Sequence, residues 1–279
     1  MRREIQREIE GSAHACRLRM PERQRLHMAG DVAGKRTGSS IEYQDRKDYV
    51  PGDDLRHVDW RAFARTDRLT VKLYREEISP HLDIIVDTSR SMGVSPEKGE
   101  RAAQLAYFFH LLARQFHAST RVHNLGASLV PVHHPFELEQ AERIRVKSPF
   151  PLLDNAPAAR RGGIKVFVSD FLFPFEPRGL ARVFRDADHV VLVQLLARFE
   201  AQPEPGGNWR LVDAETGEYL HVQLNHDTVK GYGRRLQALQ DGIDRQMRIL
   251  GGGFGIVGDV EPWDQVLRRL FRAGIIEVC

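Results

Sequence analysis

The feature that most constrains this chain is a strand–loop–helix run between residues 82 and 116. Leu82-Asp83-Ile84-Ile85-Val86 is short, apolar and rich in β-branched side chains, as a buried central strand requires. Residues 87–93 read as a loop. Ser95 then offers a helix N-cap, Pro96 suits the first helical position, and Glu97 puts negative charge in the first turn. Ala102, Ala106, Tyr107, Phe109, Leu111 and Leu112 make the helix that follows apolar on most faces, so most of it must be covered. Residues 164–168 and 190–195 are buried-strand runs of the same kind. Strands alternating with helices imply βαβ units and a parallel sheet, with the ligand at the carboxyl ends of the strands.

The remainder of the chain fits round that frame. Residues 1–28 read as one or two helices and 29–40 as a Gly/Ser-rich loop. Residues 41–79 are dense in charge and turn residues, with a strand near 69–73. Two short strands are expected near 120–125 and 128–132, and a helix near 137–146. Residues 209–222, with a turn at Glu215-Thr216-Gly217, read as a β-hairpin. Val229, Tyr232, Leu236, Leu239, Ile243, Met247 and Leu250 recur every three or four residues as one face of a long helix, closed by three glycines. A last strand at 254–257 and a helix from Trp263 to Phe271 end the chain. Two parts are expected: an N-terminal segment, 1–80, and an α/β domain, 81–279.

Composition excludes several classes. Lys plus Arg is 41 and Asp plus Glu is 38, a net charge of +3 that gives no general pull toward nucleic acid. The two cysteines, Cys16 and Cys279, suggest neither a disulfide framework nor a cysteine metal site, and suit a reducing compartment. No secretory h-region or membrane-length apolar run is present, so the reading is a cytoplasmic protein without a membrane span. Residues 253–258 match G-x-G-x-x-G, but the glycines follow a helix and the run is itself strand-like, the wrong context for a dinucleotide loop.

Chemistry concentrates after the first buried strand. Asp87-Thr88-Ser89-Arg90-Ser91 reads D-x-S-x-S, one carboxylate and two hydroxyls in a tight turn; all are hard oxygen donors suited to Mg²⁺ or Mn²⁺. A second acid, Asp170, ends another buried strand, and acids at neighbouring strand ends can share an ion. The plainer account is that Asp87 and Ser89 only cap the turn.

A second signature is Y-V-P-G-D-D-L-R-H-V-D-W-R-A-F-A-R, residues 49–65, together with Glu76. Pro51-Gly52 makes a turn. Arg56, Arg61 and Arg65 can pair with Asp53, Asp54, Asp59 and Glu76 around Trp60, which predicts a partly buried ion-pair network; a partner surface is the alternative.

This block resembles the defining stretch of the bacterial DUF58 family, and the resemblance runs from about residue 34 to 278. The strand, D-x-S-x-S loop and Asp170 are similar to the metal-ion-dependent adhesion site of von Willebrand factor A domains. The resemblance implies a von Willebrand factor A-like, mostly parallel sheet flanked by helices, with an N-terminal appended segment and a β-hairpin insertion. It implies a Mg or Mn site at Asp87, Ser89, Ser91 and Asp170. The family threonine has no counterpart, since no Thr lies between Thr120 and Thr216; Ser148 is the hydroxyl that could replace it. The implied function is a non-enzymatic protein-binding adaptor whose partner is a MoxR-type AAA+ ATPase, acting in assembly or maturation of other proteins. The alternatives are a metal-independent scaffold and a metal-dependent phosphoester hydrolase.

Overall fold

The computed structural model describes residues 3–20, 41–51, 53–76, 81–116, 118–126, 128–141, 143 and 162–279. In chain order the elements are α1 (Arg3–Ala15), β1 (Cys16–Leu18), β2 (Ile41–Asp48), α2 (Trp60–Thr66), β3 (Thr70–Glu76), β4 (His81–Asp87), α3 (Pro96–Gln115), β5 (Ser119–Leu125) and β6 (Leu129–Val132). Then come β7 (Ile164–Ser169), α4 (Leu180–Val183), β8 (His189–Leu196), α5 (Arg198–Ala201), β9 (Asn208–Val212), β10 (Tyr219–Gln223), α6 (His226–Leu250), β11 (Gly253–Gly258), α7 (Trp263–Arg272) and β12 (Ile276–Val278). The chain divides into a unit of residues 1–21 plus 80–279 and a smaller unit, 22–79.

The larger unit is a mixed α/β fold around a six-stranded sheet ordered β11-β8-β7-β4-β5-β6. All neighbours are parallel except β5 and β6. Strands β4, β7 and β8 are buried along almost their whole length, which explains their predominantly apolar sequences. One face packs Ile85, Phe167, Leu192 and Phe254 against Ile243 and Met247 of α6. Helix α3 crosses β4, β5, β7 and β8 and buries thirteen of its twenty residues. Its N-cap is Ser95, whose hydroxyl accepts from the Lys98 amide at 3.1 Å. Helix α6 ends at Gly251, which takes the left-handed conformation (φ 66°) that favours glycine.

The order of the strands fixes where a site can form. From β4 the chain passes outward to β5 on one side, and β7, β8 and β11 build outward on the other. The topological switch therefore lies between β4 and β7, where their carboxyl ends leave a crevice. Asp87 and Asp170 stand at those two ends.

Helix α1 belongs with the sheet unit, which divides the expected 1–80 segment. The reason is covalent reach and pairing: β1 pairs antiparallel with β12, and Ile9 and Ala13 are buried. Trp263 donates to the Ser12 hydroxyl at 3.2 Å and stacks edge-on to Phe108 at 5.3 Å. The helix expected at 137–146 is instead a 3-10 turn, Pro135–Gln140, started by Pro135 and capped by His134.

In the smaller unit, β2 and β3 pair antiparallel with a bulge between Tyr43 and Asp45, and α2 lies between them in sequence. Among the described residues the contacts of the 49–65 block are local and mostly exposed. Lys47 pairs with Asp53 at 2.7 Å, and Arg56 makes a forked pair with Asp54. The Arg56 guanidinium holds the Asp54 carboxyl well below the usual carboxylate range. Asp59 is buried and caps α2, accepting from the Arg61 and Ala62 amides at 3.1 and 3.0 Å. Arg61 and Arg65 are exposed, and the Arg65 Nε donates to the Arg61 carbonyl at 3.2 Å. Trp60 is 60% exposed, so it anchors no core within this unit. The spacing explains this: turns and a helix start keep the acids beside their own backbone amides, so the arginines point outward. Glu76 pairs through its backbone with Ile41, and its side chain lies outside the described residues. Asp59→Ala should therefore destabilise α2 by about 1 kcal/mol, as an N-cap loss does. Arg61→Ala should fall within about 0.5 kcal/mol of wild type. Amide hydrogen exchange across α2 checks both; a larger cost for Arg61→Ala would restore the ion-pair account.

Candidate functional site

The D-x-S-x-S loop is held open by hydrogen bonds that start from Asp87. Its Oδ1 accepts from the Ser89 amide at 2.8 Å, and its Oδ2 accepts from the Ser169 hydroxyl at 2.7 Å. The second bond ties the end of β4 to the end of β7. Asp87 is fully buried, and burial, together with the nearby Asp170 charge, pushes its carboxyl up to about 6 against those two bonds. The Ser89 and Ser91 hydroxyls lie 3.1 Å apart. The structure thus brings Asp87, Ser89, Ser91 and Asp170 to one end of the sheet. Ser148 lies outside the described residues.

Asp170 is fully buried as well. Its Oδ1 accepts from the Leu172 amide at 3.0 Å. Between them, Phe171 sits at φ 56°, a left-handed conformation that an aromatic residue adopts only under constraint. The bond from its amide to the Ser169 hydroxyl, at 3.1 Å, and the burial of its ring hold it there. Backbone strain of this kind, of order 1–3 kcal/mol, concentrates at functional sites.

The partner of Asp170 is Lys98. Its ammonium donates to Asp170 Oδ2 at 2.9 Å, to both Glu200 oxygens at 2.9 and 2.8 Å, and to the Ser91 carbonyl at 2.9 Å. The Lys98 side chain is 0% exposed. Burial raises the Glu200 carboxyl, with Lys98 opposing. Tyr232 of α6 donates to the Glu200 carbonyl at 2.6 Å; burial and the two acids push its phenol up to about 12. Sequence reading missed Lys98 and Glu200. A signal was present: Lys98 lies in the first turn of a helix apolar on most faces, and an ammonium buried there demands acids.

Two further groups reach the loop. The Ser91 amide donates to Glu215 Oε1 at 2.8 Å, so the turn of the β9–β10 hairpin lays a carboxylate on the D-x-S-x-S loop. Arg143 packs over Gly93 and Gly99, where added Cβ atoms would come within 2.9 and 3.0 Å of its side chain, and its charge is felt by Asp87. Beside the loop lies a cavity of about 740 Å³ lined by Ser89, Ser91, Val94, Phe173, Phe199 and the hairpin turn. Among the described residues no group of three or more His, Cys, Asp or Glu side chains is arranged to hold a metal ion.

Comparison with known proteins bears on both signatures. Residues 45–131, which include the 49–65 block and the D-x-S-x-S loop, match the family model described as protein of unknown function DUF58. Uncharacterized proteins of Mycobacterium bovis and Mycobacterium tuberculosis are 23% identical to this chain over 240 residues, covering 78% of it and 75% of each relative. A crystal structure described as an aerotolerance-related membrane protein from Bacteroides fragilis, with multiple mutations to serines, is 13% identical. It covers 70% of this chain and 98% of its own, at a TM-score of 0.35. Conserved hypothetical protein BatB from Bacteroides thetaiotaomicron is 11% identical, covering 61% and 99%, at a TM-score of 0.30. No helix among the described residues is long and apolar enough to cross a membrane.

Proposed function

We propose that this chain is a protein-binding adaptor, not an enzyme, and that it takes an acidic side chain of its partner on the D-x-S-x-S loop. The observation that carries the reading is the Glu215 carboxylate on the Ser91 amide, beside the paired hydroxyls of Ser89 and Ser91. A loop that seats the Glu215 carboxylate has the donors to seat a partner's carboxylate in its place. The hairpin that delivers Glu215 also exposes Trp209, Tyr219 and Leu220, with Arg210 lying 5.7 Å from the Tyr219 ring. Aromatic and arginine side chains of this kind make effective contact surfaces.

The switch-point crevice, the loop after β4 and the acid after β7 support a von Willebrand factor A-like reading of the sheet unit. The family resemblance supplies the partner: a MoxR-type AAA+ ATPase, with the chain as a cytoplasmic accessory in assembly or maturation of other proteins. The hydrolase alternative is weaker, because Lys98 holds Asp170 and Glu200, the acids such chemistry would draw on.

In this reading Glu215 and the partner's acid compete for one amide. Glu215→Ala should therefore tighten binding of the purified ATPase several-fold in biolayer interferometry. A folded Glu215→Ala chain that binds more weakly would contradict the competition and the carboxylate-site reading with it.

A further inference from the structure

We infer that the ammonium of Lys98 is the resident cation of this site, standing where the family resemblance would put a divalent ion. The first support is where its acceptors come from. Ser91 follows β4, Asp170 follows β7 and Glu200 follows β8. A shared metal ion at the carboxyl ends of these strands would draw on the same ends.

The second support is saturation. An ammonium has three protons to donate. Here they meet three acceptor groups within 2.9 Å, and the side chain is wholly out of water. A buried ammonium is stable only with such a full set, because its desolvation penalty is several kcal/mol.

The third is that the oxygen donors a divalent ion would need are committed. Both Asp87 oxygens accept hydrogen bonds, from the Ser89 amide and the Ser169 hydroxyl. Both Asp170 oxygens do the same, from the Leu172 amide and Lys98. The guanidinium of Arg143 adds a second positive charge near Asp87. As arranged, these residues do not fit Mg²⁺ or Mn²⁺, which would have to share oxygens that already accept hydrogen bonds and face two fixed cations. The loop is thus electrostatically complete without an ion, and whatever it binds, it binds metal-independently.

The inference converts into a gain of function. Lys98→Ala removes the ammonium and leaves Asp170, Glu200 and the Ser91 carbonyl around the vacated space, hard oxygen donors of the kind Mn²⁺ takes. Mn²⁺ titrated into the full chain by calorimetry should show no saturable binding by wild type below about 1 mM, and binding at least about tenfold tighter by Lys98→Ala. Mn²⁺ should also raise the melting temperature of the variant and not of wild type. Saturable micromolar binding by wild type that Ser89→Ala abolishes would overturn the inference, as would a folded Lys98→Ala chain that takes up no Mn²⁺. If Lys98→Ala does not fold, the wild-type titration with its Ser89→Ala control decides alone. The readout is metal uptake, so it stands apart from the adaptor reading and its partner-binding test.

Discussion

Lys98→Met should cost the protein about 3–5 kcal/mol at pH 7, the penalty for breaking a buried ion pair from one side. Methionine fills much of the space of the lysine stem, so the loss reports the charge and not a cavity. Asp170 and Glu200, with side chains 1% and 15% exposed, are left facing each other without a counter-charge. The deficit should shrink in acid. Burial already raises the Glu200 carboxyl above its usual 4.5. Such a group contributes stability below its unfolded value that is lost as pH rises through its folded value, and removing Lys98 raises the latter further. The triple variant Lys98→Met, Asp170→Asn, Glu200→Gln should recover most of the loss, because a neutral set needs no counter-ion. Urea denaturation at pH 5 and pH 8 measures all of this. A cost under about 1 kcal/mol for Lys98→Met at pH 8 would mean the pair is solvated in solution.

Asp87→Asn should have the opposite sign. The Asp87 carboxyl is raised from 3.8 to about 6, first by burial and then by the Asp170 charge. Its contribution to stability is full below pH 3.8 and is lost as pH rises through 6, a loss of about 3 kcal/mol for a displacement of that size. Asparagine carries no charge at any pH and keeps an oxygen for the Ser89 amide. Its amide nitrogen meets the Ser169 hydroxyl, which must then accept while also holding the Phe171 amide. The net gain at pH 8 should therefore be about 1–3 kcal/mol, vanishing near pH 4. Thermal melts at the two pH values check it. A clear loss at pH 8 would make Asp87 a turn cap and nothing more. A gain would mean that the carboxylate is kept at the expense of stability, as residues serving function are.

The parts of this fold legible in the sequence are those written in local pattern. Buried parallel strands declare themselves as apolar β-branched runs, and Ser95, Pro96 and Gly251 mark helix ends through backbone chemistry that needs no partner. The hairpin at Asn208–Val212 and Tyr219–Gln223 was visible in its turn residues. What stayed hidden depends on pairs distant along the chain. Strands β1 and β12 are three residues each and pair across the whole sequence, so neither carries a periodic signal. Strand β2, I-E-Y-Q-D-R-K-D, is too polar to read as a strand at all. At the site, Asp87 and Ser89 were legible because they lie two residues apart in one loop. Lys98 and Glu200 are 102 residues apart, and Ser91 and Glu215 are 124 apart; only the fold brings them together. The 49–65 block misled in the other direction. Dense opposite charges suggested burial, whereas short-range turns and a helix cap use the acids locally and leave Trp60 and the arginines in solvent.

The central claim is that the D-x-S-x-S loop is where this chain meets its partner. It is tested most directly by the affinity of the full chain for the proposed partner, a purified MoxR-type ATPase, wild type against Ser89→Ala/Ser91→Ala, by isothermal calorimetry without added metal. The two hydroxyls bond to each other and cap neither neighbouring helix through their side chains, so the double variant should stay folded. The account predicts affinity weaker by at least about tenfold, the loss of two hydrogen bonds to a charged group. Unchanged affinity in a folded double variant would contradict it.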